Sequence, residues 1–159
     1  MAVLCCIPAF GHGVADLIVP IQREECAIDI GYDDQPDLQD IPAFYQNGTG
    51  NFWVALDGVR VVGCIALKDI GNQQGALRKM FVAASHRGTE KGIAQELLST
   101  LLGHAKMAGL SEIYLGTTVQ FLAAHRFYEK HGFELIEAAD LPESFPRMEV
   151  DTRFYRSAL

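Results

Sequence analysis

A glycine-bearing loop at residues 87–94 has the residue types that bind an anion. It joins a predicted strand to a predicted long helix, and the free backbone N–H groups and dipole at a helix N-terminus attract negative charge. Gly88 and Gly92 let a ligand approach the backbone closely, while Arg87 and Lys91 supply positive charge. The loop therefore predicts a site for phosphate groups.

Two observations limit this interpretation. Ala94 is small, as close approach of a ligand requires, but an ordinary strand-to-helix loop capped by Thr89 would use the same glycines. The GxxxxGK(S/T) motif is absent because Ile93 follows Gly92, and no GxGxxG follows the strand. The loop thus differs from both common nucleotide-binding motifs.

Negative charge is concentrated in one early block of the chain. The block comprises Glu24, Glu25, Asp29, Asp33, Asp34, Asp37, Asp40 and Asp57, with no Lys or Arg between them. The chain carries −7 overall, so the residues outside the block carry about +1. The block is either a solvated acidic loop or an acidic lip that attracts a cationic substrate. The net charge argues against a nucleic-acid partner.

The composition is that of a globular chain. Its 159 residues, 49% hydrophobic and 21% charged, suit a single domain over 1–159. No apolar run approaches the roughly 20 residues that cross a bilayer, and the N-terminus lacks a signal peptide's basic start. We therefore expect a cytoplasmic protein with no membrane partner. Cys5, Cys6, Cys26 and Cys64 show neither a CxxC nor a zinc spacing, so no metal site is expected.

The first half of the chain predicts a helix, a loop with a short helix at 30–41, and a sheet. The first helix, at 14–25, contains Pro20, so a kink or a break is expected there. Asp57-Gly58 is predicted as a two-residue hairpin turn. Strands are predicted at 3–7, 52–56, 60–67 and 76–82.

The second half predicts helices alternating with short strands. An apolar face, formed by Ile93, Leu97, Leu98, Leu101, Leu102 and Ala105, predicts a strong amphipathic helix. A strand at 112–115, a helix at 121–131 and strands at 133–136 and 150–155 follow. The helical crossover from 76–82 to 112–115 implies one parallel pair. The expected class is α+β, a mixed, mostly antiparallel sheet with helices on both faces.

Three segments carry a family resemblance. They are Leu77-Arg78-Lys79-Met80-Phe81-Val82, the loop at 87–94, and Phe127-Tyr128-Glu129-Lys130-His131-Gly132-Phe133. In order and spacing they resemble the GNAT superfamily of N-acetyltransferases, which has an acyl-CoA N-acyltransferase fold. The tail, LPESFPRM at 141–148 and VDTRFY at 150–155, resembles a bacterial subset of that superfamily.

The resemblance implies acetyl-CoA as cosubstrate. The loop amides would hold its pyrophosphate, and the strand end would pair with the pantetheine arm like an added strand. A backbone N–H near Phe81 or Val82 would bind the developing oxyanion. The implied cofactor contacts are Met80, Phe81, Val82, Arg87, Gly88, Lys91, Gly92, Ile93 and Ala94.

Three positions depart from the superfamily pattern. Thr89 stands where a basic or amide residue is usual, and Arg87 lies two residues further back. Phe121 replaces an Asn that commonly binds pantetheine, and Ala76 falls near a Glu that often serves as the general base. The commonest base is therefore absent.

Tyr128 is the predicted general acid, because a tyrosine holds a proton at neutral pH that it can donate to a leaving thiolate. The alternative is a core-facing tyrosine at the end of an amphipathic helix. Glu25 is preferred to Glu24 as the general base, and a water relay without a dedicated base stays open. His125 is expected to face solvent.

The acidic block predicts a cationic acceptor: a polyamine, an amino sugar, a free amino acid or a peptide N-terminus. Apolar strands near the C-terminus also allow a homodimer. Two other functions compete with acetyl transfer, namely a non-catalytic CoA-binding sensor or interaction module, and an unrelated α+β binding domain whose glycine loop is structural.

Overall fold

The structure, a computed structural model, describes residues 1–88, 90–118 and 122–159. Within these ranges one sheet has the strand order β1-β2-β3-β4-β5-β7-β6, parallel only between β4 and β5. Its strands are β1 Ala2–Cys5, β2 Asn51–Asp57, β3 Arg60–Asp69, β4 Gln74–Val82, β5 Glu112–Thr117, β6 Glu134–Ile136 and β7 Arg153–Ala158. The strands predicted at 52–56, 60–67 and 76–82 form an antiparallel meander, and the single predicted parallel pair is confirmed.

Helices cover both faces of the sheet. They are α1 Gly11–Pro20, α2 Pro36–Gln39, α3 Ile41–Phe44, α4 Ile93–Met107 and α5 Leu122–Lys130. Neighbouring residues of β2 point to opposite faces. Trp53 packs edge-on against His104 of α4, whereas Phe52 packs against Tyr45 at the end of α3. The sheet is therefore the middle layer of three, and the expected fold class is confirmed.

The first helix ends at its proline. Pro20 closes α1, and residues Ile21–Glu25 form a π-helical turn in which the Cys26 N–H donates to the Ile21 carbonyl. A proline has no N–H to continue the α-helical ladder, so the wider turn takes over at this point. The kink expected within 14–25 is thus a change of helix type.

The β2–β3 turn lies one residue later than predicted. Asp57 still pairs with Arg60, so the turn residues are Gly58 and Val59 rather than Asp57-Gly58. Gly58 has φ +62°, a left-handed conformation that suits a glycine at the first turn position. The side chain of Asp57 hydrogen-bonds His86 Nε2 at 2.8 Å.

The last strand also begins later than predicted, at Arg153 rather than at residue 150. A turn occupies the intervening residues: the Asp151 N–H donates to the Met148 carbonyl at 3.0 Å, and the Met148 N–H donates to Asp151 Oδ2 at 3.1 Å. Side-chain capping of this kind competes locally with strand pairing. It fixes the tail next to the end of β5.

The two parallel strands separate after a short paired stretch. Pairing joins Gln74–Ala76 of β4 to Glu112–Tyr114 of β5, but β4 continues to Val82 and β5 to Thr117. Beside the split, β4 is irregular: its register with β3 shifts between Cys64 and Ala66, and Lys79 has φ +52°. The separated strands open a cleft in the middle of the sheet.

No helix in the described part of the chain is long and apolar enough to span a bilayer.

Candidate active site

The cleft at the β4–β5 split has a volume of about 570 Å³. Its walls are residues 77–81 of β4, residues 115–118 at the end of β5, residues between 28 and 34, and tail residues between 145 and 151. Tyr128 of α5 also lines it. A concave site with apolar walls and a few polar groups is the usual form of a small-molecule site.

Tyr128 lies in the wall at the α5 side. It is 6% exposed, and its ring packs against Phe133 and Tyr155 with centroids 5.6 and 6.2 Å away. Burial raises the pKa of Tyr128 well above its ordinary value, so the phenol keeps its proton at neutral pH. The side chain of Tyr128 is buried, as the core-facing alternative expects, and it also lines the cleft, as a general acid requires.

The predicted phosphate loop holds both of its glycines at positive φ. Gly88 has φ +118° and Gly92 has φ +67°, and the Lys91 N–H donates to the Gly88 carbonyl. α4 begins at Ile93, which is 2% exposed, so the first N–H groups of the helix follow directly after Gly92. Thr89, where the departure from the family pattern falls, lies outside the described residues.

Two residues assigned to different tasks contact each other. Arg87 donates from Nη1 to Glu25 Oε1 at 2.6 Å and from Nε to the Val82 carbonyl at 2.8 Å. Glu25 is not among the residues that line the cleft. Lys91 Nζ donates to the Ser85 carbonyl at 2.8 Å. The geometry therefore places Glu25 beside Arg87 of the predicted phosphate loop rather than in the wall of the cleft.

A buried polar network lies under the cleft. Lys79 is 9% exposed, and its Nζ lies 2.5 Å from Gln35 Oε1 and 3.5 Å from Asp37 Oδ2. Tyr45 donates its hydroxyl to the same Asp37 oxygen at 2.6 Å, and Gln22 and Gln35 exchange hydrogen bonds. Burial lowers the pKa of Lys79, and Asp37 opposes that shift. No local sequence signal marks this network.

The acidic block is divided among several environments. Asp29 and Asp34 line the cleft, as an acidic lip requires. Asp37 is buried with Lys79, and Asp40 caps α3 by accepting from the Ala43 N–H at 3.1 Å. Most of the block is therefore structural.

A second carboxylate lies in the tail wall of the cleft. Asp151 faces Gly116 of β5 so closely that a Cβ at Gly116 would lie 2.6 Å from Asp151 Oδ2. Burial raises the pKa of Asp151, and the Met148 N–H, Arg78 and Arg147 each oppose that rise. Sequence reasoning missed this residue, although the tail motif that contains it was noted.

Three further expectations from the sequence concern His125, Ala76 and Phe121. His125 is 4% exposed, with Nε2 2.8 Å from the Thr118 carbonyl, so the expectation that it faces solvent is wrong. The amphipathic α5 turns it towards the end of β5 instead. Ala76 is fully buried and offers no proton-transfer group. Phe121 lies outside the described residues.

No group of three His, Cys, Asp or Glu side chains is placed to hold a metal ion within residues 1–88, 90–118 and 122–159. Of the four free cysteines, Cys6, Cys26 and Cys64 are buried and Cys5 is exposed.

The chain is similar to proteins of known family. N-acetylaspartate synthetase of Xenopus tropicalis is 36% identical over 141 residues, which cover 84% of this chain and 48% of that protein. The chain thus spans about half the length of that relative. An acetyltransferase of the GNAT family from Staphylococcus aureus has a TM-score of 0.94 and 37% identity, covering 99% of this chain and 98% of the other.

A more distant structure shares the fold. YncA of Salmonella typhimurium, solved with its cofactor acetyl-CoA, has a TM-score of 0.78 at 20% identity and covers 99% of this chain and 93% of its own. The profile described as "Acetyltransferase (GNAT) family" matches residues 18–133. The sequence resemblance is thereby confirmed, and the chain belongs to the acetyltransferase (GNAT) family.

Proposed function

We propose that this chain is an N-acetyltransferase that moves the acetyl group of acetyl-CoA to a primary amine of a cationic small molecule or peptide. The amine attacks the thioester directly while both substrates are bound. The observation that carries the proposal is the β4–β5 split in a chain of this family, in which the end of β4 leads through the glycine-bearing loop into α4.

The residues at the split suit the cosubstrate. β4 is not paired with β5 beyond Ala76 in the described residues, so the edge of β4 at residues 80–82 that faces away from β3 is available to an extended pantetheine arm, where Arg87 already occupies the Val82 carbonyl. Gly88 and Gly92 add no side chain that would obstruct a phosphate group.

The pyrophosphate site uses the start of α4. The N–H groups of Ile93 and Ala94, with the charges of Arg87 and Lys91, complete it. Arg87 is held by Glu25 in this structure, so an incoming pyrophosphate competes with that carboxylate for the guanidinium.

Tyr128 supplies the proton of the reaction. As the amine nitrogen bonds to the carbonyl carbon, the C–S bond breaks, and the departing sulfur takes the phenolic proton. The raised pKa of Tyr128 keeps that proton in place until the thiolate forms. A backbone N–H near Phe81 or Val82 stabilises the charge on the carbonyl oxygen.

The acceptor is proposed from the charge of the cleft. Asp29 and Asp34 stand at one wall and favour a cationic amine. The relative named N-acetylaspartate synthetase makes a free amino acid one of the candidates to include in a screen, together with a polyamine, an amino sugar and a peptide N-terminus.

Calorimetric titration with acetyl-CoA, with ATP as the control ligand, is the first test. Selective, near-stoichiometric binding supports the cosubstrate, and a screen of the four amine classes then identifies an acceptor. Absence of acetyl-CoA binding to folded protein would overturn the proposal.

Tyr128→Phe tests the acid. Turnover should fall by about 10–100-fold with acetyl-CoA affinity unchanged, because one proton-transfer step is lost. Tyr114→Phe is the matched control: its hydroxyl donates to Glu112 at 3.2 Å, and Tyr114 does not line the cleft. Equal turnover in the two variants would remove Tyr128 from the mechanism.

A non-catalytic CoA-binding module is the second candidate. It is favoured by the buried Ala76, which has no proton-transfer group, and by the Glu25–Arg87 ion pair. Tight acetyl-CoA binding without transfer to any amine would support it. The single domain, the cytoplasmic location, a homodimer and the exclusion of nucleic-acid and membrane partners stay predictions from the sequence.

A further inference from the structure

The tail segment between residues 145 and 151 forms one wall of the cleft, although the proposed chemistry above uses none of it. Phe145 packs with Ala76, Tyr114 and Phe154 in a small buried cluster. That cluster anchors the segment over the paired part of β4 and β5. The polar end of the segment, at Asp151, then reaches the point where the two strands separate.

We infer that Asp151 is the general base of the acetyl transfer, an assignment that rests on the proposed function. Its carboxylate lies against Gly116, two residues beyond the last β4–β5 pair at Tyr114. That is the stretch of β5 which faces the open split. Only a glycine permits this approach, because any side chain at residue 116 would meet the carboxylate.

The carboxylate is available to a substrate. Asp151 is half-buried and takes part in none of the ion pairs found among the described residues. The Met148 N–H donates to Oδ2. By contrast, the Glu25 carboxylate forms an ion pair with Arg87 outside the cleft.

The local environment also makes Asp151 a stronger base than an exposed aspartate. Burial raises the pKa of its carboxyl group, and the charged side chains near it, Arg78 of β4 and Arg147 of the tail, offset this only partly. A general base works best when its pKa approaches the working pH.

With Asp151 as the base, every proton in the reaction is accounted for. A neutral amine attacks the carbonyl carbon, and Asp151 takes one proton from the nitrogen as the C–N bond forms. The C–S bond breaks, and the sulfur takes the proton of Tyr128. Asp151 returns its proton through solvent to the tyrosinate, so the net products are the acetylated amine and free CoA thiol.

The alternative is that Asp151 only holds the turn before β7 through the Met148 N–H. Asp151→Asn separates the two roles, since the amide oxygen of Asn can still accept that bond. We expect kcat/KM to fall by about 10²–10⁴-fold. We also expect the pH profile of kcat to lose the acid-side inflection that protonation of Asp151 causes, with calorimetric affinity for acetyl-CoA unchanged.

The matched control is Asp140→Asn. Asp140 accepts from the N–H three residues earlier, Glu137, at 3.1 Å, as Asp151 does from Met148, but it is exposed and outside the cleft. This variant should keep wild-type turnover and the wild-type pH profile.

The outcomes distinguish this inference from the proposed function. An active wild type with an equally active Asp151→Asn variant overturns the base assignment alone. A folded Asp151→Asn variant that loses activity but keeps the acid-side inflection of the wild-type profile also overturns it, because the role is then structural. A wild type that transfers acetyl to no amine overturns the proposed function, and the base assignment falls with it.

Discussion

The acidic block at 24–57 and the tail wall at 145–151 differ in how many acidic residues they hold and in what those residues do. The block holds eight acidic residues and no Lys or Arg. Two of its carboxylates nevertheless have structural roles, because Asp37 pairs with the buried Lys79 and Asp40 caps a helix. The tail wall holds few charges, yet Asp151 faces the split in the sheet and makes no ion pair with the described residues. The richer segment is mainly structural.

This difference shows that the surroundings of a carboxylate decide whether it can act as a base, and that the number of acidic residues in a segment does not. An acid that is held in an ion pair is stabilised as an anion and becomes a poor base. An acid that is partly desolvated and unpaired holds a proton more readily. Only the second environment prepares a carboxylate for proton transfer, and three changes within the block test this distinction.

The largest effect is expected from Asp37→Asn. The change leaves the Lys79 charge buried without its partner, so the free energy of unfolding should fall by about 3–5 kcal/mol, as measured by urea denaturation. Asp33→Asn is the control, because Asp33 is exposed and should change stability by less than about 0.5 kcal/mol. Similar stabilities for the two variants would mean that Asp37 is no more structural than a surface acid.

A smaller effect is expected from Glu25→Gln. The variant releases Arg87 for the pyrophosphate, so KM for acetyl-CoA should fall by up to about fivefold, the size of an exposed ion pair. The value of kcat should stay within about twofold. Glu24→Gln is the control, since Glu24 forms no ion pair with the described residues. A drop in kcat of about 100-fold or more in steady-state kinetics would instead make Glu25 the base.

The smallest effect is expected from Asp29→Asn at the cleft wall. Asp29 is exposed, so its attraction for a cationic amine is screened by water. KM for the amine should rise by about twofold in low salt, and the difference should vanish near 0.5 M salt. Asp16→Asn, outside the cleft, should leave KM unchanged. An equal rise in both variants would show that only the net charge matters.

Much of the fold could be predicted from local patterns. The apolar spacing from Ile93 to Ala105 predicted α4, and the glycines at 88 and 92 predicted the loop that precedes it. Side-chain periodicity and turn chemistry act between near neighbours, so they can be read from the chain directly. The errors lie at element ends, such as the turn at Gly58 and the start of β7, where capping decides, and in the expected exposure of His125, which is buried.

The family, and the loop proposed to bind phosphate, could be recognised from the sequence itself, because both rest on residues that are close together in the chain. The state of each carboxylate was decided only by the tertiary structure. Lys79 meets Gln35 across 44 residues, and Arg87 meets Glu25 across 62. Asp151 reaches Gly116 only because β7 folds back beside β5. Burial and charged neighbours set a carboxylate's reactivity, and both depend on contacts that folding makes between distant segments.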